Sequence, residues 1–311
     1  MLQLVRDYGK EISWNVGSLF AHDRFLWSLV SVLEEFGYKN PISHVFGSTP
    51  CLFQGGRIAP RTAELKDAKR IIDKYNEKKI GCRLTYSNIL IREEDLEDEI
   101  CNEYLKYLND NGKDAGNGVI VSSDMLAKYI KAKYSNLQLI SSLVKPSIEV
   151  GLGSDEENAE YYNRLFDLYD IVSINPFKVK DSEFLYKIKY PNRVEFIANH
   201  RCVPNCPLAK EHYLVQMYAS NKMLTGEDPE KDLIKLEYID RECYKIKSTY
   251  PMAGTSLSES DIECLCRMGF TNLKIEGREH DGRCFIRDLG DYIFISYIYR
   301  RVADAIMKSC V

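Results

Sequence analysis

No stretch of this chain is apolar for long enough to cross a membrane. The short signatures of common catalysts are missing too: there is no G-x-S-x-G elbow, no H-E-x-x-H and no P-loop. Serine-hydrolase, zinc-peptidase and P-loop nucleotidase chemistries therefore find no support. Glycines occur in GSTPCLFQGGR, but not at the G-x-G-x-x-G spacing that a dinucleotide-binding turn needs. A dominant charge of either sign is lacking as well. Lys and Arg number 42 against 46 Asp and Glu, a formal charge of −4. A purely electrostatic grip on nucleic acid is not expected, although a local basic patch stays open. The opening MLQLVRDYGKEISW has no apolar run followed by a small-residue cleavage site. A cytoplasmic location with reduced thiols is the expectation.

Cysteine is plentiful. Ten are present in 311 residues, more than a reduced protein needs for packing, so about half are expected to do chemistry. With 45% hydrophobic residues the chain can bury a large core, and no repeat or low-complexity linker splits it, so one domain over 1–311 is expected.

Apolar runs and helical periodicity alternate along the chain. Strands are expected at 42–47, 81–86, 118–121, 137–140, 171–174, 194–198 and 271–275. Helices are expected at 61–78, 93–109, 123–134, 156–168, 181–188, 207–222, 259–268 and 289–308. Ser123-Asp124 and Ser258 supply caps for two of them. Strands separated by helices of this length pair in parallel, and seven strands favour a single parallel (β/α)8 barrel over a doubly wound sheet. The eighth strand is sought in the poorly periodic 244–256, and 223–250, containing TGEDPEKD, reads as an irregular excursion from the barrel.

A barrel carries its chemistry at the C-terminal ends of its strands. Here those tips hold Ser48, Thr49 and Cys51, then Thr85, Ser87 and Asn88, then Ser122, Ser123, Ser141, Ser142 and Asn175. The later tips hold Asn199, His200, Arg201 and Cys202, and then Glu276 and Arg278. The serines are explained by ordinary loop polarity. Paired thiols are harder to dismiss, since thiolates bind soft metals and iron–sulfur clusters. Cys202 and Cys206 form such a pair, braced by Pro204 and Pro207, and Cys51 and Cys243 can reach the same mouth. Cys264 and Cys266 are reserves, and Cys82 and Cys101 read as core. Zinc remains open for any such cluster of thiols.

Two segments carry a resemblance. Leu273-Lys274-Ile275-Glu276-Gly277-Arg278 matches a late-strand LKIEGR, with Tyr299-Arg300 following near the expected YR, and Glu195-Phe196 leading to Cys202 looks like an E-x-F…C signature. In both, the chain resembles the collagenase-like peptidase family (peptidase family U, number thirty-two). It departs from that pattern at Ala198-Asn199-His200-Arg201, where the family has a His-Gly-Ala approach, and at the compressed Val203-Pro204-Asn205-Cys206. The resemblance implies a TIM-like barrel and a 4Fe-4S cluster on four cysteines. It further implies oxygen-independent hydroxylation of a quinone or RNA base, with prephenate as oxygen donor. Carried over residue by residue, it makes Cys202, Cys206, Cys243 and Cys51 the cluster ligands.

On this reading Arg278, Arg57 and Arg201 clamp a carboxylated small molecule, because a guanidinium grips carboxylates bidentately. Glu276 moves protons or pairs with Arg278, and His200 acts as acid, base or outer partner of the metal. The competing readings are a peptidase, for which no triad is legible, and a non-catalytic subunit that offers a cluster-bearing platform to a partner chain.

Overall fold

Short apolar strands alternate with longer amphipathic helices, and each strand pairs in parallel with the next until the sheet closes. A computed structural model describes residues 5–56, 65–149, 155–203, 206–249, 255–277 and 282–295. The strands are β1 (Ser13–Val16), β2 (Ile42–Gly47), β3 (Gly81–Tyr86), β4 (Gly118–Val121), β5 (Gln138–Ser141), β6 (Ile171–Ser173), β7 (Val194–Ile197) and β8 (Asn272–Ile275). They form a closed barrel in sequence order, with β8 returning to β1 at Trp14↔Leu273 and Val16↔Ile275. This is the (β/α)8 barrel that the alternation predicts.

The helices are α1 (Asp23–Glu35), α2 (Leu65–Glu77), α3 (Glu99–Asp110), α4 (Asp124–Lys133), α5 (Val144–Glu149), α6 (Asp155–Leu165), α7 (Ser182–Leu185), α8 (Ala209–Thr225), α9 (Glu230–Thr249), α10 (Glu259–Arg267) and α11 (Gly282–Tyr292). Most lean an apolar stripe on the outward faces of the strands, and the main core lies between the two layers. Caps set their starts: Ser123 accepts from Leu126 N on α4, and Ser258 makes a reciprocal capping box with Asp261 on α10. Among the described residues no helix is long and apolar enough to cross a membrane.

Three expectations need correction. The eighth strand is β1, not part of 244–256; residues 244–249 belong to α9, and 250–254 lie outside the described residues. The excursion at 223–250 is regular. α8 runs to Thr225, Gly226 turns the chain at φ +78°, and after Pro229 the 20-residue α9 folds back on α8. The last described helix starts at Gly282, earlier than expected, and Phe294 then bridges Val5; residues 296–311 lie outside the described residues.

One glycine shapes the mouth of the barrel. The loop after β2 lies on the loop after β3, with Ser87 N donating to Gln54 O (3.1 Å) and Asn88 N to Phe53 O (3.2 Å). Gly55 sits there at φ +53°, and a Cβ would stand 2.2 Å from Asn88 Cα. Both conformation and space demand glycine. Gly55→Ala is expected to destabilise the protein by about 1–3 kcal/mol, the usual cost of overpacking, read from the urea midpoint. An unchanged midpoint would mean that this loop is free to move off the β3 tip.

Candidate functional site

Strand alternation sends one set of side chains into the barrel lumen. Phe46, Ile120 and Ile140, with Ile171 against them, make a small apolar cluster separate from the main core. Charge lies beside it. Glu195 of β7, 1% exposed, stands between Arg83 of β3 (3%) and Lys274 of β8 (7%). Arg83 Nη1 donates to Glu195 Oε2 at 3.1 Å, while Lys274 Nζ lies 3.4 Å from Oε1. Ser173 Oγ donates to the same Oε1 (3.3 Å), and Arg83 Nη2 donates to Gln138 Oε1 (3.3 Å). The Lys274 ammonium also sits 4.1 Å from the centre of the Phe46 ring. Burial pulls the Arg83 pKa down, and Glu195 holds it up. The two segments that resemble the peptidase family, EF and LKIEGR, thus meet through Glu195 and Lys274.

Above this network the mouth opens into a cavity of about 310 Å³. The tips of β7 and β8 are tied together by Asn199, whose Oδ1 accepts from Glu276 N and whose Nδ2 donates to Glu276 O, both at 2.8 Å. The same Nδ2 donates to Asp288 Oδ2 (2.8 Å), a buried carboxylate on α11 that also takes the guanidinium of Arg201. His200 Nδ1 lies 3.5 Å from Glu276 Oε2, and the His200 carbonyl accepts from Ser256 Oγ (2.8 Å) and Thr255 Oγ1 (3.2 Å). His200, Arg201 and Glu276 all line the cavity. Arg57 and Arg278 lie outside the described residues, as do Pro204, Asn205, Tyr299, Arg300 and Cys310.

Three thiols share this cavity: Cys202, Cys206 just before α8, and Cys243 on α9. The Cys202 pKa is pushed up to about 12, by burial first and then by Cys206 and Cys243, with Lys247 opposing. Cys202 and Cys206 also hydrogen-bond through their side chains. As positioned, no group of three or more His, Cys, Asp or Glu side chains among the described residues could hold a metal ion. The structure does not bring Cys51 to these three. It is buried elsewhere, beside Thr49 (Oγ1 to Sγ 3.6 Å) and hydrogen-bonded to Cys101. Burial would raise its pKa, but hydrogen bonds from Cys101, Thr49 and Tyr86 outweigh burial and hold it low. Cys264 is exposed on α10, and Cys266, buried on the same helix, has Lys10 and Arg267 for neighbours; neither lines the cavity. A 4Fe-4S cluster ordinarily takes four thiolates. The cavity supplies three, all soft donors, and as positioned they stand too far apart to hold one metal ion together.

Two helices roof the site. α8 is tethered to the loops after β2 and β3 by Gln54 Nε2 to Ser220 Oγ (3.2 Å) and Asn88 Nδ2 to Asn221 Oδ1 (3.1 Å). His212 of α8 lines the cavity and reaches Asp240 of α9, Nε2 to Oδ1 3.2 Å. Sequence reasoning assigned no role to Arg83, His212 or Asp288. A charged residue inside a strand was the available signal for Arg83, and C-x3-C-x5-H spacing was the signal for His212.

No family model matches this chain, and no curated protein matches it. A solved structure of the U32 peptidase Mk0906 superposes with a TM-score of 0.51, covering 88% of this chain and 95% of that one at 13% identity. At that identity the likeness is one of fold.

Proposed function

We propose that the cavity is a redox centre, in which Cys202, Cys206 and Cys243 hold an iron–sulfur cluster beside a small-molecule or single-ring substrate. The observation that carries this reading is that three thiols line one cavity at the C-terminal mouth, a set that would have to draw closer to share a metal centre. After burial, Cys206 and Cys243 add to the rise in the Cys202 pKa, and a bound metal would reverse that rise by replacing the proton. A cluster would supply the electron-transfer step. The protein's own groups do the rest: the His200–Glu276 pair can hold or pass a proton at the cavity wall, and Asp288 fixes Arg201 and Asn199. The volume of about 310 Å³ lies at the small end of ligand pockets, in keeping with a compact substrate. An oxygen-independent hydroxylase, with prephenate or a similar donor, is the specific form that the family resemblance favours.

A cysteine peptidase needs the opposite electrostatics. Its nucleophile works as a thiolate with a depressed pKa, whereas burial drives the Cys202 pKa upward. His200 moreover lies against Glu276.

Anaerobic preparation with iron and sulfide decides between these readings. A brown protein with stoichiometric iron and acid-labile sulfide is expected. Stoichiometric zinc, with neither iron nor sulfide taken up, would overturn the redox reading.

A further inference from the structure

We propose that Lys274 is the anion-holding group at the floor of this cavity, and that the ligand bound there carries a carboxylate or phosphate group on a compact apolar body. The inference concerns the same cavity as the redox centre but stands on the lumen charges alone.

The argument is a charge count. Arg83 and Lys274 share the single carboxylate of Glu195, so the buried trio carries one positive charge in excess. Among the other described groups at the mouth, Arg201 is matched by the buried Asp288, Lys247 lies exposed beside Cys202, and the Glu276 carboxylate, beside His200, is half-exposed to water rather than buried with the trio. Lys274 is more than nine-tenths buried, lines the cavity and belongs to the trio in surplus. A surplus charge withdrawn from water gains strongly from a counter-ion, since Coulomb attraction grows as the local dielectric falls.

The surroundings suit an oxyanion. An ammonium has three donors; Lys274 has Glu195 Oε1 at ion-pair distance, 3.4 Å, and the Phe46 ring stabilises the cation on another side. The hydroxyls of Thr85, Ser87 and Ser142 line the same cavity, the last two 3.2 Å apart, and can donate to an anion. Phe46, Ile120 and Ile197 supply the apolar wall for the body of the ligand. This adds a lysine inside the LKIEGR segment to the arginines expected to grip a carboxylate.

The test is binding of butyrate and butyl phosphate, with butanol as the uncharged control, measured by calorimetry on the full chain. At least one anion should bind while butanol does not, and the tighter arm identifies the head group. K274M should bind that anion about 10-fold or more weakly, the loss expected for one charge-assisted hydrogen bond. K274R should recover part of the affinity. Iron and sulfide content of K274M after anaerobic reconstitution should match the wild type, which separates failure of the anion site from failure of the redox centre. Equal affinity in folded K274M, or no preference of the wild type for either anion over butanol, would overturn the proposal. Should K274M not fold, reductive methylation of the wild type decides: the bound anion should protect Lys274, and equal labelling with and without it sinks the idea.

Discussion

Cys202→Ala should strip iron and sulfide from anaerobically reconstituted protein while leaving the barrel folded. Cys202 is the thiol on which both Cys206 and Cys243 act, so its removal leaves two thiols where three line the cavity. Loss of a direct ligand should exceed the ~10–100-fold fall in metal affinity that removing an outer partner of a ligand brings. Stability should change little, because Cys202 is only half-buried in a wall of the cavity. Cys243→Ala should behave likewise, which would tie α9 to the centre. Cys51→Ala makes the informative contrast. Its thiol is engaged with Cys101 and Thr49, away from the cavity, so iron content should match the wild type. Iron lost from C51A but kept by C202A would mean that the centre is elsewhere.

How much of this was legible follows from what each segment has to bury. β2 to β8 announce themselves because their outward residues face helices and their inward ones often face more apolar side chains. Val119 and Val121 lie in the main core, while Ile120 lies in the lumen, so β4 reads as an unbroken apolar run. β1 is hidden by the same geometry. Its outward Trp14 and Val16 are buried, but Ser13 and Asn15 interrupt the run, and four residues give periodicity little to work on. α9 was misread for the opposite reason. Ile239 and Cys243 lie at helical spacing on its buried face, but Ile234, Tyr238 and Tyr244 are exposed and blur the pattern.

The site divides in the same way. Cys202 and Cys206 stand close in sequence and therefore attract notice, whereas the Cys243 placement depends on the turn at Gly226 that returns α9 to the mouth. Arg201 looked like a free clamp, since nothing in the chain marks Asp288, 87 residues away, as its partner. Charge balance in a lumen is a property of neighbouring strands, not of any one segment.

Glu195→Ala should be the most destabilising single substitution in the lumen. It leaves Arg83 and Lys274, both buried, without their shared carboxylate, and Ser173 Oγ without its acceptor. Breaking a buried ion pair from one side typically costs about 3–5 kcal/mol, because the desolvated charge that remains has no counter-ion. The urea midpoint of E195A should fall accordingly with the slope unchanged, and a loss below about 1 kcal/mol would mean that water reaches the trio and screens it. The triple variant R83M/E195L/K274M gives the sharper reading. It removes all three charges and fills the lumen with apolar side chains of similar size, an exchange that is often neutral or stabilising. Recovery of stability in the triple variant, together with loss of anion binding, would show that folding does not require the trio. The network would then be held in the barrel for its uncompensated positive charge, and so for the ligand that neutralises it.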